Sequence, residues 1–282
     1  RIPRLGVNAD LLQYDAEELA QQLAWMDEAG VHWIRQFIYW DEIEPEQGQF
    51  EWDALDTITN ALVAYPNMQL QPVFMNSPLW ARDSEVMTSP PSDPIAIIPF
   101  LQAFTSRYGN SITYYQVWDE PNLDDAWGLE NPSPAEYVAL LSESYRAIHS
   151  RDINAVVIAA ALAPTIETRG QNIADDLYLQ QLYDLGAADY FDAVAGKPYG
   201  FDTSPLDRDV SRDTLNFSRL ILLREIMVAN GDADKAVWAS NWGWNHLPDS
   251  WEGDASIWGS IDEPLVYDYV SNALNRADRE WA

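Results

Sequence analysis

Seven short apolar runs recur along this chain, each followed by a loop and then by a stretch with helical periodicity, and this alternation restricts the fold more than any other feature. The runs are Leu5–Asn8, Val31–Tyr39, Gln69–Met75, Ile112–Trp118, Ala155–Leu162, Phe191–Ala195 and Ala236–Ser240. Each has strand length and is bounded by turn residues. Helical periodicity covers Asp15–Ala29, Trp52–Ala64, Ile95–Tyr108, Asp175–Leu185, Thr214–Asn230 and Pro264–Trp281, and a further helix opens at Ser133-Pro134-Ala135-Glu136 with a cap residue, a first-turn proline and a glutamate. Strict alternation of this kind implies a parallel sheet covered by helices, either doubly wound or closed as a barrel. No Gly-x-Gly-x-x-Gly follows the first strand and no Gly-Lys-Ser/Thr loop exists, so the nucleotide-binding doubly wound fold loses its support. The expected fold is an α/β chain of the (β/α)8 TIM-barrel type. Seven units are visible where eight are needed, and an open barrel leaves two unpaired strand edges. We therefore expect the last βα unit to lie beyond the C-terminus of this chain. No linker or low-complexity tract interrupts the sequence, and residues 1–282 read as one domain.

Composition narrows the function. Sixteen basic against 45 acidic residues give a net charge of −29, a surface that repels phosphate backbones and anionic lipids. Nucleic acid is not expected as a partner. No apolar run is long enough for membrane insertion. With no Cys and only His32, His149 and His246 as nitrogen ligands, neither a zinc centre nor any other cofactor is expected. The acidic, Lys-poor, Cys-free composition suggests an extracellular or cell-envelope protein whose export signal lies outside this chain. The 13 Trp are the unusual feature, because indole is costly to expose and well suited to stacking on sugar rings. An oligo- or polysaccharide is the expected partner; the sequence does not speak to oligomeric state.

In a β/α barrel, working residues sit at the C-terminal ends of the strands. Those positions hold Asn8, Trp40 with Glu42 and Glu44, Asn76 to Trp80, Trp118 to Asn122, Lys197 to Tyr199, and Asn241 to Asn245. Trp40, Trp80, Trp118, Trp242 and Trp244 would ring one mouth, with Trp127, Trp251 and Trp258 on loops at the same end; packing between strands and helices is the competing role for each. The sharpest local signal is Gln116-Val117-Trp118-Asp119-Glu120-Pro121-Asn122. Two carboxylates followed by proline end a strand and present Glu120 to the mouth. There it is suited to act as the acid for a glycosidic oxygen.

These residues resemble those of the clan A glycoside hydrolases, family 39 and its relatives in particular. The similarity runs through Arg35, the stretch Trp40-Asp41-Glu42-Ile43-Glu44-Pro45 with Gly48, Phe50 and Trp52, the turn Ser77-Pro78-Leu79-Trp80-Ala81, Trp118 to Asn122, and Val237 to Asn245. The resemblance implies a barrel fold, Glu120 as acid/base, Arg35 orienting the catalytic carboxylate, and Tyr199 lining the site. Trp40, Trp80, Trp118, Asn122, Lys197, Trp242 and Trp244 join Arg35 and Tyr199 as candidate substrate contacts. Three positions depart from the family's pattern. Asn241 stands where the family has its nucleophilic Glu, Asp119 where it has Asn, and Lys197 where it has His.

Asn cannot form the glycosyl ester of a retaining double displacement. Lys197, one of only two Lys in the chain, could pair with Asp119 and Glu120 and hold both ionised, opposing a general-acid role, or could bind an acidic sugar or sulfate. Two readings follow. One is a glycosidase of non-standard mechanism, inverting or substrate-assisted, with Glu120 as acid and water positioned by Asn241 or activated by Asp119. The other is a glycan-binding or scaffold domain that kept the cleft and lost turnover.

Overall fold

The structure is a computed structural model that describes residues 5–168 and 171–281. Its seven strands are β1 (Gly6–Asn8), β2 (Trp33–Tyr39), β3 (Gln69–Met75), β4 (Tyr114–Asp119), β5 (Val156–Leu162), β6 (Ala193–Gly196) and β7 (Ala236–Ala239). They form one parallel sheet in sequence order. Helices α1 (Ala16–Glu28), α2 (Trp40–Ile43), α3 (Asp53–Leu62), α4 (Ile98–Tyr108), α5 (Pro134–His149), α6 (Asp175–Asp184), α7 (Arg219–Ala229) and α8 (Glu263–Glu280) occupy the crossovers and follow β7. Among the described residues, no helix is long and apolar enough to cross a membrane.

The sheet is curled. Trp33 on β2 and Trp238 on β7 are five strands apart in the strand order, yet their ring centroids are 4.9 Å apart. Tyr114 of β4 completes the group, 4.7 Å from Trp33 and 5.3 Å from Trp238. Only a sheet bent into a trough brings alternate strands together across its concave face. Asn8, at the end of β1, donates from Nδ2 to the Ser240 carbonyl just past β7 at 2.9 Å, tying the two edges. No β1–β7 ladder forms among the described residues. The seven-strand expectation is met, and the architecture is a curled, open parallel sheet with its helices.

The helix layer packs on the outer face, where Ile34, Ile38, Leu70, Phe74, Phe100, Phe104 and Leu223 are fully buried. Helix α1 opens with a reciprocal cap, Asp15 accepting from the Glu18 backbone while Glu18 accepts from that of Asp15. Gly196 of β6 is required by packing, because a Cβ there would meet methyl groups of Leu220 and Leu223 on α7 at 2.8 and 2.7 Å. Helix α7 begins at Arg219 and not at Thr214, for a local reason. The Thr214 hydroxyl and the Asn216 side chain donate to Asp209 and Asp207, holding the preceding segment in turns that compete with helix.

Candidate active site

The site is built on the concave face above the Trp33–Tyr114–Trp238 layer. Arg35, 6% exposed, is its hub. Its Nη2 donates to Asp119 Oδ1 at 2.7 Å and its Nε to Gln116 Oε1 at 3.2 Å. Its Nη1 donates to Asn8 Oδ1 at 3.0 Å and to Asn241 Oδ1 at 3.1 Å. From within β2, one guanidinium thus ties together the ends of β1, β4 and β7, as its rigid fork of donors permits.

The local backbone explains which side chains reach this face. Strand alternation would send Gln116 and Trp118 inward together. Trp118 instead has φ 68°, in the left-handed region. Its indole leaves for the helix layer, donating to the Ala126 carbonyl at 2.9 Å and meeting Trp127 edge-on. Asp119 turns inward beside Gln116, which donates to it at 3.1 Å. Glu120 also has positive φ, 51°, with its N–H held by the Ala161 carbonyl. Two such non-glycine residues at one strand end are energetically costly.

Lys197, also 6% exposed, answers the carboxylates from β6. Its Nζ lies 2.7 Å from Asp119 Oδ2 and 2.8 Å from Glu120 Oε1. Burial works against the lysine charge, yet Asp119 and Glu120 outweigh it and hold the ammonium above the usual lysine range. Asp119, at 5% exposed, therefore has donors on both oxygens. Glu120 keeps its side chain 28% exposed. Tyr199 lies beside this cluster, and burial raises its phenol against the opposing pull of Lys197.

The expected ring of indoles is only partly realised. Trp40 and Trp118 are each 1% exposed and offer no ring face to a ligand. Trp40 packs on Phe100 and donates to Glu44 Oε2 at 2.7 Å. Trp127 is likewise buried. Asn122 is fully buried and is a loop brace, donating to the carbonyls of Ala163 and Ile173 and accepting from the Ala163 N–H. Trp242 and Trp244 pack around Phe217, and Trp244 is further pinned by the Thr203 carbonyl. Trp80 stays partly exposed, edge-on to Trp40. Aromatic surface at the mouth comes from two residues absent from the sequence-based set, Phe37 and Tyr39. Their rings are parallel within 3°, centroids 6.1 Å apart, both partly exposed. The Arg35 guanidinium lies 5.0 Å from the Phe37 ring centre. Burial raises the Tyr39 phenol, and Asp10, Glu42, Asp41 and Asp119 reinforce it. The signal was present in the alternation Trp33, Arg35, Phe37, Tyr39, which puts both rings on the face of Arg35. Gln116 was likewise signalled, as a lone amide inside an apolar strand. Among the described residues no group of three or more His, Asp or Glu is placed to hold a metal ion.

Comparison with solved structures places this architecture. A family 39 glycoside hydrolase from Bacteroides cellulosilyticus WH2 superposes with a TM-score of 0.73 at 18% identity, over 99% of this chain and 54% of its own. The curled sheet and its helices share the fold of that glycoside hydrolase. A family 39 enzyme from Xanthomonas axonopodis pv. citri gives 0.71 at 21% identity, over 98% of this chain and 56% of its own. A monomeric β-xylosidase from Caulobacter crescentus CB15 gives 0.69 at 22%, over 98% and 58%. The chain spans little more than half the length of these glycoside hydrolases. The glycosyl hydrolase family 42 model, described as β-galactosidase, matches residues 12–81, the segment that carries Arg35, Phe37, Tyr39 and Trp40. No curated protein sequence matches the chain.

Proposed function

We propose that the barrel mouth is a carbohydrate site of glycoside hydrolase type in which ordinary retaining turnover is disabled. One observation carries the reading. Glu120 is ion-paired to buried Lys197 at 2.8 Å, and by the family resemblance Asn241, which accepts from Arg35, takes the position where double displacement needs a carboxylate. An amide oxygen forms no glycosyl ester. A carboxylate engaged by an ammonium must give up that partner before it can carry a proton to a leaving oxygen. Asp119 is poorly placed to take over as a base, because Arg35 and Gln116 donate to its Oδ1 and the Lys197 ammonium to its Oδ2, and all three favour the charged, unprotonated form. What remains is a binding surface of Phe37, Tyr39, Tyr199 and Trp80 around a polar floor with two cations and two carboxylates. Such a surface suits a neutral sugar ring, apolar on its face and hydroxylated at its edge. The β-xylosidase among the structural neighbours supports the same ligand class.

A second reading is favoured by the exposure of Glu120, whose side chain is 28% exposed against 7% for Asp119. Glu120 would act as the acid in an inverting or substrate-assisted hydrolysis, with water held by the Asn241 amide. The test is reducing-end release from a panel of oligo- and polysaccharides by the wild type, Glu120→Gln and Asn241→Glu, with calorimetric binding alongside. Binding without turnover in the wild type is the expected result. Wild-type turnover that disappears in Glu120→Gln would overturn it in favour of the second reading.

A further inference from the structure

The segment between β7 and α8 carries two indoles that the barrel does not use. Trp251 and Trp258 are 53% and 51% exposed, and Ile257 between them is 80% exposed. An apolar surface of this kind on a bare loop would be expected to be mobile, yet this loop is braced. At its base Asp202 Oδ1 accepts from the Ser260 N–H at 2.8 Å, and Ser260 Oγ accepts from the Leu247 N–H at 3.0 Å. Asn245 donates from Nδ2 to the Gly259 carbonyl at 3.1 Å and accepts from the Ile261 N–H at 3.0 Å. Gly259, at φ 74°, leaves no room for a side chain, because a Cβ would lie 2.1 Å from Asp202 Oδ1. The Trp251 ring is itself fixed. Its Nε1 donates to the Asp254 carbonyl at 2.9 Å, and it lies so close over Gly253 that a Cβ there would fall 2.5 Å from Cζ2. One face of the indole is packed on its own backbone, and half of the residue's surface stays open.

Resting on the carbohydrate reading of the mouth, we infer that this loop is a second stacking platform that extends the site to a neutral polymeric glycan. Position supports this, since the loop leaves the same end of the sheet as the mouth and starts four residues after Asn241. Charge selects the ligand class. Asp249, Glu252, Asp254 and Asp262 flank the two indoles in the sequence, and no Lys or Arg occurs between residues 247 and 262. A polyuronate, sulfated glycan or nucleic acid would be repelled. A pre-ordered aromatic face without cations suits the apolar face of an uncharged pyranose.

The test is calorimetric titration of the chain with neutral β-linked disaccharides and hexasaccharides of xylose, glucose and mannose, with polygalacturonate as the anionic comparison. The hexasaccharide of the preferred sugar should bind about tenfold more tightly than its disaccharide. Trp251→Ala combined with Trp258→Ala should remove that advantage and leave disaccharide affinity unchanged. Gly253→Ala, which displaces the Trp251 ring and leaves the barrel untouched, should remove part of it. Equal affinities for short and long chains, with mouth variants alone weakening both, would sink the platform while sparing the carbohydrate reading. No binding of any neutral chain overturns both. Preference for polygalacturonate overturns the ligand class. Self-association in sedimentation that vanishes in the double Trp variant would make the surface an interface between copies instead.

Discussion

Lys197 Nζ lies 2.8 Å from Glu120 Oε1 and, with the same ammonium, 2.7 Å from Asp119 Oδ2. One ammonium therefore compensates both carboxylates, with Arg35 as the second cation on Asp119. Removing one partner of a buried ion pair leaves the other charge uncompensated, at about 3–5 kcal/mol. Lys197→Met should lower stability in urea by an amount of that order. The pH dependence has a definite sign. A lysine raised in the folded state contributes stability that is fully present below its unfolded value and is lost as pH rises through the folded one. The gap between wild type and Lys197→Met should narrow only at alkaline pH, above about 10.4. Urea midpoints from neutral to strongly alkaline pH check this.

Phe37 and Trp118 separate binding from packing. Phe37→Leu keeps apolar volume but removes the ring that faces the mouth. It should weaken oligosaccharide affinity by roughly threefold to tenfold with little change in melting temperature. Trp118→Phe should do the opposite, because the indole is buried and its loss leaves the Ala126 carbonyl unpaired. The expected cost is about 1–3 kcal/mol, with sugar affinity retained. Calorimetry and thermal melts on both variants read the two effects separately.

Away from the mouth, Arg219 holds Asp175 through Nε at 2.8 Å and Nη2 at 2.6 Å, and it also donates to the carbonyls of Arg212, Thr214 and Thr165. Burial raises Asp175 even against this partner. Arg219→Met should destabilise strongly, by about 3–5 kcal/mol, and adding Asp175→Leu should recover part of the loss, since the stranded charge is then gone. A double-mutant cycle in urea gives the coupling directly.

Gly200 is the contact point of Trp244. A Cβ there would fall 1.9 Å from Cε2 of the indole, so Gly200→Ala must push the ring from its hydrogen bond to the Thr203 carbonyl. Overpacking of this kind costs about 1–3 kcal/mol. Lower melting temperature and altered tryptophan fluorescence should appear together.

The order of elements, the parallel sheet, the strand that carries Arg35 and the strand ends that carry Asp119, Glu120, Lys197 and Asn241 were legible in the sequence. Period-two and helical periodicities are local properties, and a barrel places its strand ends in one mouth whatever the side chains do. The roles of the aromatic residues were not legible. Trp40 read as a mouth aromatic and Phe37, three residues earlier, did not, yet Trp40 is sealed among Phe100 and Glu44 while Phe37 faces the lumen. That difference depends on a helical turn at Trp40, a positive φ at Trp118, and the helix packing that receives each indole. The sequence likewise placed a lysine and two carboxylates near one another without fixing their partners. Only the curled sheet, which brings β2, β4 and β6 within reach of one another across the lumen, put two buried cations on Asp119 and one of them on Glu120. Side-chain direction and ion pairing are set by non-local distances, and these exist only once the sheet has curled and the helices have packed on it.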